Sequence, residues 1–258
     1  MKASIVIANY NNAKYIKDCI NSLKNQTFKN FEIIFFDDNS NDNSINEVSK
    51  FSEIQIIRNK NQTEFGSLNQ LKAFNESIKV SSGDLIFFLD SDDYFHETKL
   101  EKIVNKFNTD RNIKVVYDFP IIFGNKKEKV LKKKNNKLFK TYWDYIHPTS
   151  CITIKKQNVF DILNCIKDER FTDVWMDLRI HLYTKHVNND YLVINENLTY
   201  YRQSQENVTS KYKKFSKNWW TRRCDAHEYF FSFAKKNNFK IKKNLDYKIS
   251  KIINNLIK

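Results

Sequence analysis

Glycine, proline and cysteine are scarce in this 258-residue chain, at three, two and four residues. Gly66, Gly83 and Gly124 stand too far apart to form a glycine-rich loop near the N-terminus, where backbone amides could cradle a phosphate. No Ser/Gly/Pro-rich linker divides the chain and no internal repeat is visible. Cys19, Cys151, Cys165 and Cys224 have neither CxxC nor Cys/His metal spacing, so reduced, buried or half-buried thiols are expected. None of the five histidines has a paired-ligand or HExxH spacing. No stretch approaches the roughly 18 apolar residues of a membrane span. The opening "MKASIVIANYNN" is too short an apolar run for a secretory leader, so a cytoplasmic protein is expected.

Positive charge is plentiful. The formal net charge is +14, and it is unevenly placed. Residues 1–210 balance at +3, with 30 Lys/Arg against 27 Asp/Glu, whereas residues 211–258 carry 14 against 3, a balance of +11. Hydrophobic residues make up 41% and aromatics 15%, enough for a sizeable core.

The first hundred residues alternate apolar runs with amphipathic stretches. "ASIVIANY", "FEIIFFDDNS", "IQIIRN" and "DLIFFLDSDD" read as strands. "AKYIKDCINSLKNQ", the region around 43–51 and the region 68–80 read as helices. Continuous apolar strands separated by helices predict a mainly parallel sheet covered on both faces, with ligands at the carboxyl ends of its strands. Further on, "IKVVYDFPIIFGN" and "PTSCITIKK" read as strands, "KKEKVLKKKNNK" as a solvated basic loop or hairpin, and "QNVFDILNCI" and "TDVWMDLRIHLYTKH" as helices. The tail is helical from about Ser216.

Carboxylates gather at the predicted strand ends. Asn9 closes the first strand, Asp37 and Asp38 the second, and Asp90, Asp92 and Asp93 the strand after Gly83. Like charges so close repel, and burying them without partners is costly, so a cation is expected there. Asp-x-Asp at a strand end suits a hard divalent ion that in turn holds a diphosphate. The pair Asp37-Asp38 suits a nucleobase imide or ribose hydroxyls.

In order and spacing, "SIVIANYNNAKYIKDCINSLKNQTFKNFEIIFFDDNSNDNS" followed by "SSGDLIFFLDSDD" resembles the nucleotide-binding half of inverting family 2 glycosyltransferases. The likeness is close over residues 3–100 and looser to about 210. It implies an α/β fold of the GT-A type, with a Rossmann-like, mainly parallel sheet flanked by helices. A catalytic domain would span 1–210, with a nucleotide-binding half at 1–100 and an acceptor half at 101–210. A basic, aromatic, helical C-terminal extension would follow at 211–258.

The resemblance also implies roles. Asn9 and Tyr10 fall in the first nucleotide-lining loop, where Ala8 replaces the usual proline. Asp38 resembles the uracil-reading carboxylate, with Asp37 beside it. Asp90 resembles the ribose-side member of the DxD, with Ser91 between the acids; Asp92 resembles the ligand of Mn²⁺ or Mg²⁺, with Asp93 a close alternative. Lys72 sits near the family's donor-side arginine, whose own position is Phe74. Asp173 fits the catalytic base and Arg179 the arginine six residues later, while Asp177, one helical turn beyond Asp173, shares its face if the helix includes both. An inverting transfer needs one such carboxylate to deprotonate the acceptor hydroxyl. In "YYRQSQENVTS", Tyr201 and Arg202 match the family's segment, but Ser204 replaces its histidine. "SKNWWTRR" is not the QxxRW motif of processive members, so single-sugar transfer is expected. His147, before Pro148-Thr149-Ser150, is a weaker acceptor-side candidate.

The expected function is metal-dependent, inverting transfer of one sugar from a nucleotide-diphosphate sugar, UDP-linked, to a saccharide or lipid-linked acceptor in bacterial surface polysaccharide or glycolipid synthesis. The tail, with Trp219, Trp220, Phe230, Phe231 and Phe233 among its lysines, would hold the enzyme at the anionic inner face of the plasma membrane, or else pack as a helical appendage. A pyrophosphorylase lacks support without a glycine-rich loop. A nucleic-acid-binding module using the basic tail is the alternative from another class, but it leaves the acidic strand ends unexplained.

Overall fold

The computed structural model describes residues 1–124, 129–130, 145–203 and 212–257. Its strands form one nine-stranded mixed sheet in the order β3-β2-β1-β4-β8-β6-β9-β5, with β7 paired to β6. The parallel half is β1 (Ala3–Asn9), β2 (Phe31–Asp37), β3 (Ile54–Arg58) and β4 (Leu85–Asp90). Beyond it, β8 (Ile152–Lys155) runs antiparallel to both β4 and β6 (Val115–Gly124), and β6 pairs in parallel with the long β9 (Tyr191–Gln203). Two short strands complete the sheet, β5 (Tyr94–Phe95) on β9 and β7 (Lys129–Val130) on β6. The expected hairpin at 126–137 is described only at β7.

The strands are apolar along their length because both faces are covered. Ile5, Ile7, Phe87 and Leu89 point to one layer, where α1 (Ala13–Lys24), α2 (Ser44–Val48) and α4 (Lys99–Thr109) bury Ile16, Ile20, Val48, Ile103 and Phe107. Val6, Ile86 and Phe88 point to the other, against α3 (Gly66–Val80), α5 (Lys156–Ile166) and α6 (Met176–His186). There Phe74 meets Phe88 edge to face at 4.8 Å between centroids. Phe74 stands at the family's arginine position and is fully buried.

At the amino ends of the strands, Gly83 lies against β1 so closely that a Cβ would come within 2.6 Å of the Ser4 hydroxyl and 2.8 Å of the Ala3 carbonyl carbon. This close approach is what requires glycine there. Glu32 ties the same corner together. Its carboxylate accepts hydrogen bonds from the Ser4 hydroxyl (2.5 Å), the Ser82 amide (2.5 Å) and hydroxyl (2.7 Å), and Lys2 Nζ (2.9 Å).

The tail divides into two unlike helices. Ser216 caps α7 (Lys217–Lys236) by accepting from the Trp219 amide. Ala226, Tyr229, Phe230 and Phe233 of α7 belong to the core beneath the sheet. Packing therefore does not part the chain at 210/211: α7 is built into the catalytic unit, and α8 (Leu245–Leu256) lies against α7. Among the described residues no helix is long and apolar enough to cross a membrane.

Candidate active site

Parallel register brings the polar strand ends together. Asn9 lies opposite Asp37 and Ala8 opposite Asp90, so β2, β1 and β4 finish side by side. The buried Asn9 amide donates to Asp37 (2.9 Å) and to the Ser40 hydroxyl (3.1 Å), and Asp37 also accepts from the Ser40 amide. Asp37 thus organises the turn. Asp38 accepts from Asn59 (2.6 Å) and Gln62 (3.0 Å), which aim it across the end of the sheet. Tyr10 is exposed beside this loop, whereas Ser91 is buried and accepts from Asn12. Lys72 donates to the Asn59 side chain (2.8 Å) and the Asn61 carbonyl (3.2 Å). It braces the loop that holds Asp38.

The DSDD turn closes β4. Asp90 accepts from Gln70 (2.8 Å) on α3, and its backbone amide donates to the Ser150 hydroxyl (3.0 Å). Burial, then the Asp92 charge, raises its pKa to about 7, although the Gln70 bond opposes this. Burial raises Asp92 to about 6 against the pull of Arg202. Asp93 is different. One oxygen accepts from the Ser150 hydroxyl (2.6 Å) and the other from the Arg202 amide (2.8 Å). Burial first, and then Asp92 and Asp90, push it well above the usual carboxylate range. Both its oxygens are committed to the scaffold, so Asp93 fastens the turn. Asp90 and Asp92 carry fewer such ties to the scaffold than Asp93 does.

Beneath the turn lies a feature the sequence does not announce. Lys99 and Asp118 form a fully buried ion pair at 2.7 Å. Lys99 also donates to the Ser150 carbonyl and the Thr199 hydroxyl, and that hydroxyl donates to Asp118. A buried pair is tolerable only when its remaining valences are met, as they are here. Ser150 therefore links the DSDD turn to this pair. Arg202, whose segment matched the family's, donates its Nε to the Asp92 carbonyl and lies over the rings of Tyr15 and Phe123. Ser204 lies outside the described residues.

Across the cleft, the expected helix over 172–186 begins only at Met176. Asp173 precedes it, so Asp173 and Asp177 do not share a helical face, which corrects that expectation. The reason is Arg179. Its fully buried guanidinium donates to the carbonyls of Val174 (3.0 Å), Ile166 (3.1 Å), Asp168 (3.3 Å) and Phe171, and it lies 4.6 Å from the Tyr229 ring centroid. These bonds wrap residues 166–174 into a loop around it. Arg179, the arginine six residues after Asp173, is thus a supporting residue whose guanidinium is taken up by that scaffold.

Asp173 accepts from the Tyr212 hydroxyl, and its backbone carbonyl accepts from Arg222. Asp177 lies in the first turn of α6 and accepts from the Leu178 amide (2.7 Å). Burial raises its pKa to about 7, opposed by the Leu178 amide and by Arg222. Its charge acts on Asp90, Tyr117, Tyr145 and Tyr201, which puts it in the neighbourhood of the DSDD turn. His147 is buried among Tyr117, Phe119 and Tyr145, and its Nδ1 donates to the Asp118 carbonyl (2.7 Å). Burial lowers its pKa to about 4 and keeps it neutral. It packs in the wall, the ordinary alternative to acceptor contact for this residue.

Among the described residues no group of three or more His, Cys, Asp and Glu side chains forms a protein cage for a metal ion. Asp90 and Asp92 nevertheless fit one. They are oxygen donors forced together in a buried turn, and Mg²⁺ and related ions commonly take one or two carboxylates and complete their shell on substrate phosphates.

Comparison with known proteins agrees with this arrangement. An uncharacterized glycosyltransferase of Nostoc sp. is 37% identical over 132 residues, covering 49% of this chain and 39% of that protein. The poly(ribitol-phosphate) β-N-acetylglucosaminyltransferase TarP of Staphylococcus aureus is 37% identical over 108 residues, 40% of this chain and 32% of TarP. The Escherichia coli UDP-Glc:α-D-GlcNAc-diphosphoundecaprenol β-1,3-glucosyltransferase WfaP is also 37% identical over 108 residues, 42% of each chain. The chain thus spans about two-fifths or less of the length of these relatives. In three dimensions, S. aureus TarS residues 1–349 with UDP-GlcNAc superpose with a TM-score of 0.66 over 98% of this chain and 70% of that one, at 18% identity. The mannosyltransferase PcManGT of Pyrobaculum calidifontis, with GDP-Man and Mn²⁺, gives 0.56 at 15% identity, over 98% of this chain and 68% of that one. These likenesses establish the GT-A fold. The profile described as Glycosyl transferase family 2 matches residues 4–166, well over half of the chain, and with the strand-end carboxylates in place the chain belongs to glycosyl transferase family 2.

Proposed function

We propose that the chain transfers a single sugar from a UDP-sugar to a saccharide or lipid-linked acceptor, with inversion at the anomeric carbon, in making a bacterial surface glycan or glycolipid. The observation that carries the proposal is the gathering of acids at the carboxyl end of the sheet, Asp38 just beyond β2, Asp90 at the end of β4 and Asp92 in the turn that follows, with the charge of Asp177 on α6 acting on Asp90. Asp38, held by Asn59 and Gln62, accepts from the uracil imide, with Asn9, Tyr10, Ala8 and Ser91 lining the nucleotide. Asp92, with Asp90 beside it, would hold Mn²⁺ or Mg²⁺. The ion supplies countercharge to the leaving diphosphate. Asp177 takes the proton from the acceptor hydroxyl as that oxygen attacks, because a carboxylate raised to about 7 is a stronger base than an ordinary one and is still ionised near neutrality. Asp173, bonded to Tyr212, steadies the rim of the acceptor side.

The names of the relatives support UDP donors and polymeric or lipid-linked acceptors. A lipid-linked acceptor would place the enzyme at the inner face of the plasma membrane. A donor screen tests the reading: nucleotide release is measured from a panel of UDP-, GDP- and dTDP-sugars with Mn²⁺ or Mg²⁺. Release from a UDP-sugar is expected to exceed the others. Release from GDP- or dTDP-sugars alone, or full turnover in excess EDTA, would overturn the donor or the metal assignment.

A further inference from the structure

The last helix is mounted with its polar side inward. In α8, Tyr247, Ser250 and Asn254 are buried. Asp246 takes a bidentate bond from Arg223 (2.5 and 2.6 Å), Asn254 accepts from Thr221 (2.9 Å), and the Tyr247 hydroxyl donates to Glu228 (2.7 Å). Each of these partners belongs to α7. The opposite side of α8 carries Leu245, Ile249, Ile252 and Leu256, exposed by 62%, 40%, 61% and 80%. Their spacing of four, three and four residues keeps them on one stripe of a 3.6-residue helix. A helix in water normally buries such a stripe against its own protein. Here polar bonds fasten it the other way round.

Charge indicates what meets the stripe. Residues 235–258 contain eight lysines and one acid, Asp246, which is already paired with Arg223. Lys240, Lys242, Lys243, Lys248 and Lys251 are exposed before and along α8. A second copy of the chain would bring the same lysines against these and be repelled, whereas an anionic surface is attracted.

We propose that α8 docks the enzyme on an anionic membrane surface, with the Leu245–Ile249–Ile252–Leu256 stripe seated among the headgroups and the lysines on acidic lipid. The surface differs from the one the sequence suggested, because Phe230 and Phe233 of α7 are buried in the core and cannot insert. Docking deepens, and in its purpose rests on, the reading that the acceptor is presented at a membrane. Its test needs neither donor nor acceptor.

The full chain is sedimented with vesicles of phosphatidylglycerol and phosphatidylcholine, and with phosphatidylcholine alone. Binding is expected on the anionic vesicles only, and it should weaken as salt rises. Ile249→Asp/Ile252→Asp should reduce it by roughly tenfold or more, because the charges oppose burial of the stripe. Both positions are exposed, so the variant is expected to keep its melting temperature and its UDP binding. Failure of the native chain to bind anionic vesicles at low salt would overturn the proposal. So would undiminished binding by the variant, or a dimer of the native chain that the variant converts to monomer without any vesicle binding. If vesicles bind as expected but no UDP-sugar is turned over, docking stands and the function proposed above falls.

Discussion

The two ends of the same parallel strands treat carboxylates in opposite ways. At the amino ends, Glu32 is surrounded by donors from Ser4, Ser82 and Lys2, and its pKa is lowered to about 2 despite the cost of its partial burial. At the carboxyl ends, burial and then the charge of Asp92 raise Asp90 to about 7 and burial raises Asp92 to about 6, while burial raises Asp177 on α6 to about 7. One end spends its hydrogen bonds on stability. The other leaves acids short of compensation, as a site does when it awaits a cation and a proton. Stability and activity should therefore respond to mutation and pH with opposite signs at the two ends.

The deepest break comes from Asp92→Ala. Without the carboxylate proposed to hold the metal, transfer should fall by roughly 10³-fold or more, since an ion of this kind is worth several kcal/mol of transition-state charge stabilisation. Steady-state assays across a metal titration check this, and native turnover in the variant would remove Asp92 from the site.

Next in size is the base. Asp177→Asn keeps shape and removes basicity, so kcat should drop by about 10² to 10⁴-fold while UDP affinity holds. Asp173→Asn, which disturbs only a Tyr212 contact at the rim, should cost less than about tenfold. The native rate should rise with pH through about 7 as Asp177 loses its proton, and this limb should vanish in Asp177→Asn. If Asp173→Asn is the more damaging change, the proton goes to Asp173 and the assignment reverses.

The smallest effects sharpen the contrast through stability alone. Asp90 is an acid with a raised pKa, so in the nucleotide-free protein its cost grows as pH rises from its ordinary value through about 7. Asp90→Asn should raise Tm at pH 7.5 by about 2–4 °C and gain nothing at pH 4. Glu32 has a lowered pKa, so its contribution is present above about 4.5 and lost as pH falls through about 2. Glu32→Gln should cost about 1 kcal/mol at pH 7.5, allowing for the solvent that screens a half-buried carboxylate. Thermal melts at pH 7.5 and 4 for Asp90→Asn, and at pH 7.5 and about 2 for Glu32→Gln, check the signs.

The carboxylates at the strand ends were legible because each closes a continuous apolar run, and parallel register then has little freedom in where it puts them. The role of Arg179 was not legible because its six-residue spacing from Asp173 is the same whether its guanidinium faces a cleft or four backbone carbonyls. The ties of Asp93 were hidden for a related reason. A DSDD string does not say which oxygens the fold will occupy, and Ser150, 57 residues away, takes one of them. The Lys99–Asp118 pair gave no signal, since each residue alone reads as a surface charge. In the tail, composition revealed the basic excess but not which apolar residues the core would absorb.

What the sequence determined by itself was local and periodic: alternating apolar strands and helices, the turn after each strand, the sign of the charge along the chain, and with these a mainly parallel α/β sheet and the edge where the acids gather, to which the family resemblance added the GT-A class. What the tertiary structure decided was every question of partnership: which carboxylates are satisfied, which arginine is scaffold, where α6 begins, and which face of α8 meets solvent. The physical reason is that periodicity acts within a few residues, whereas desolvation and hydrogen-bond satisfaction depend on groups that folding brings together from 30, 60 or 100 positions away, as with Asn9 and Asp37, Asp90 and Ser150, and Lys99 and Thr199.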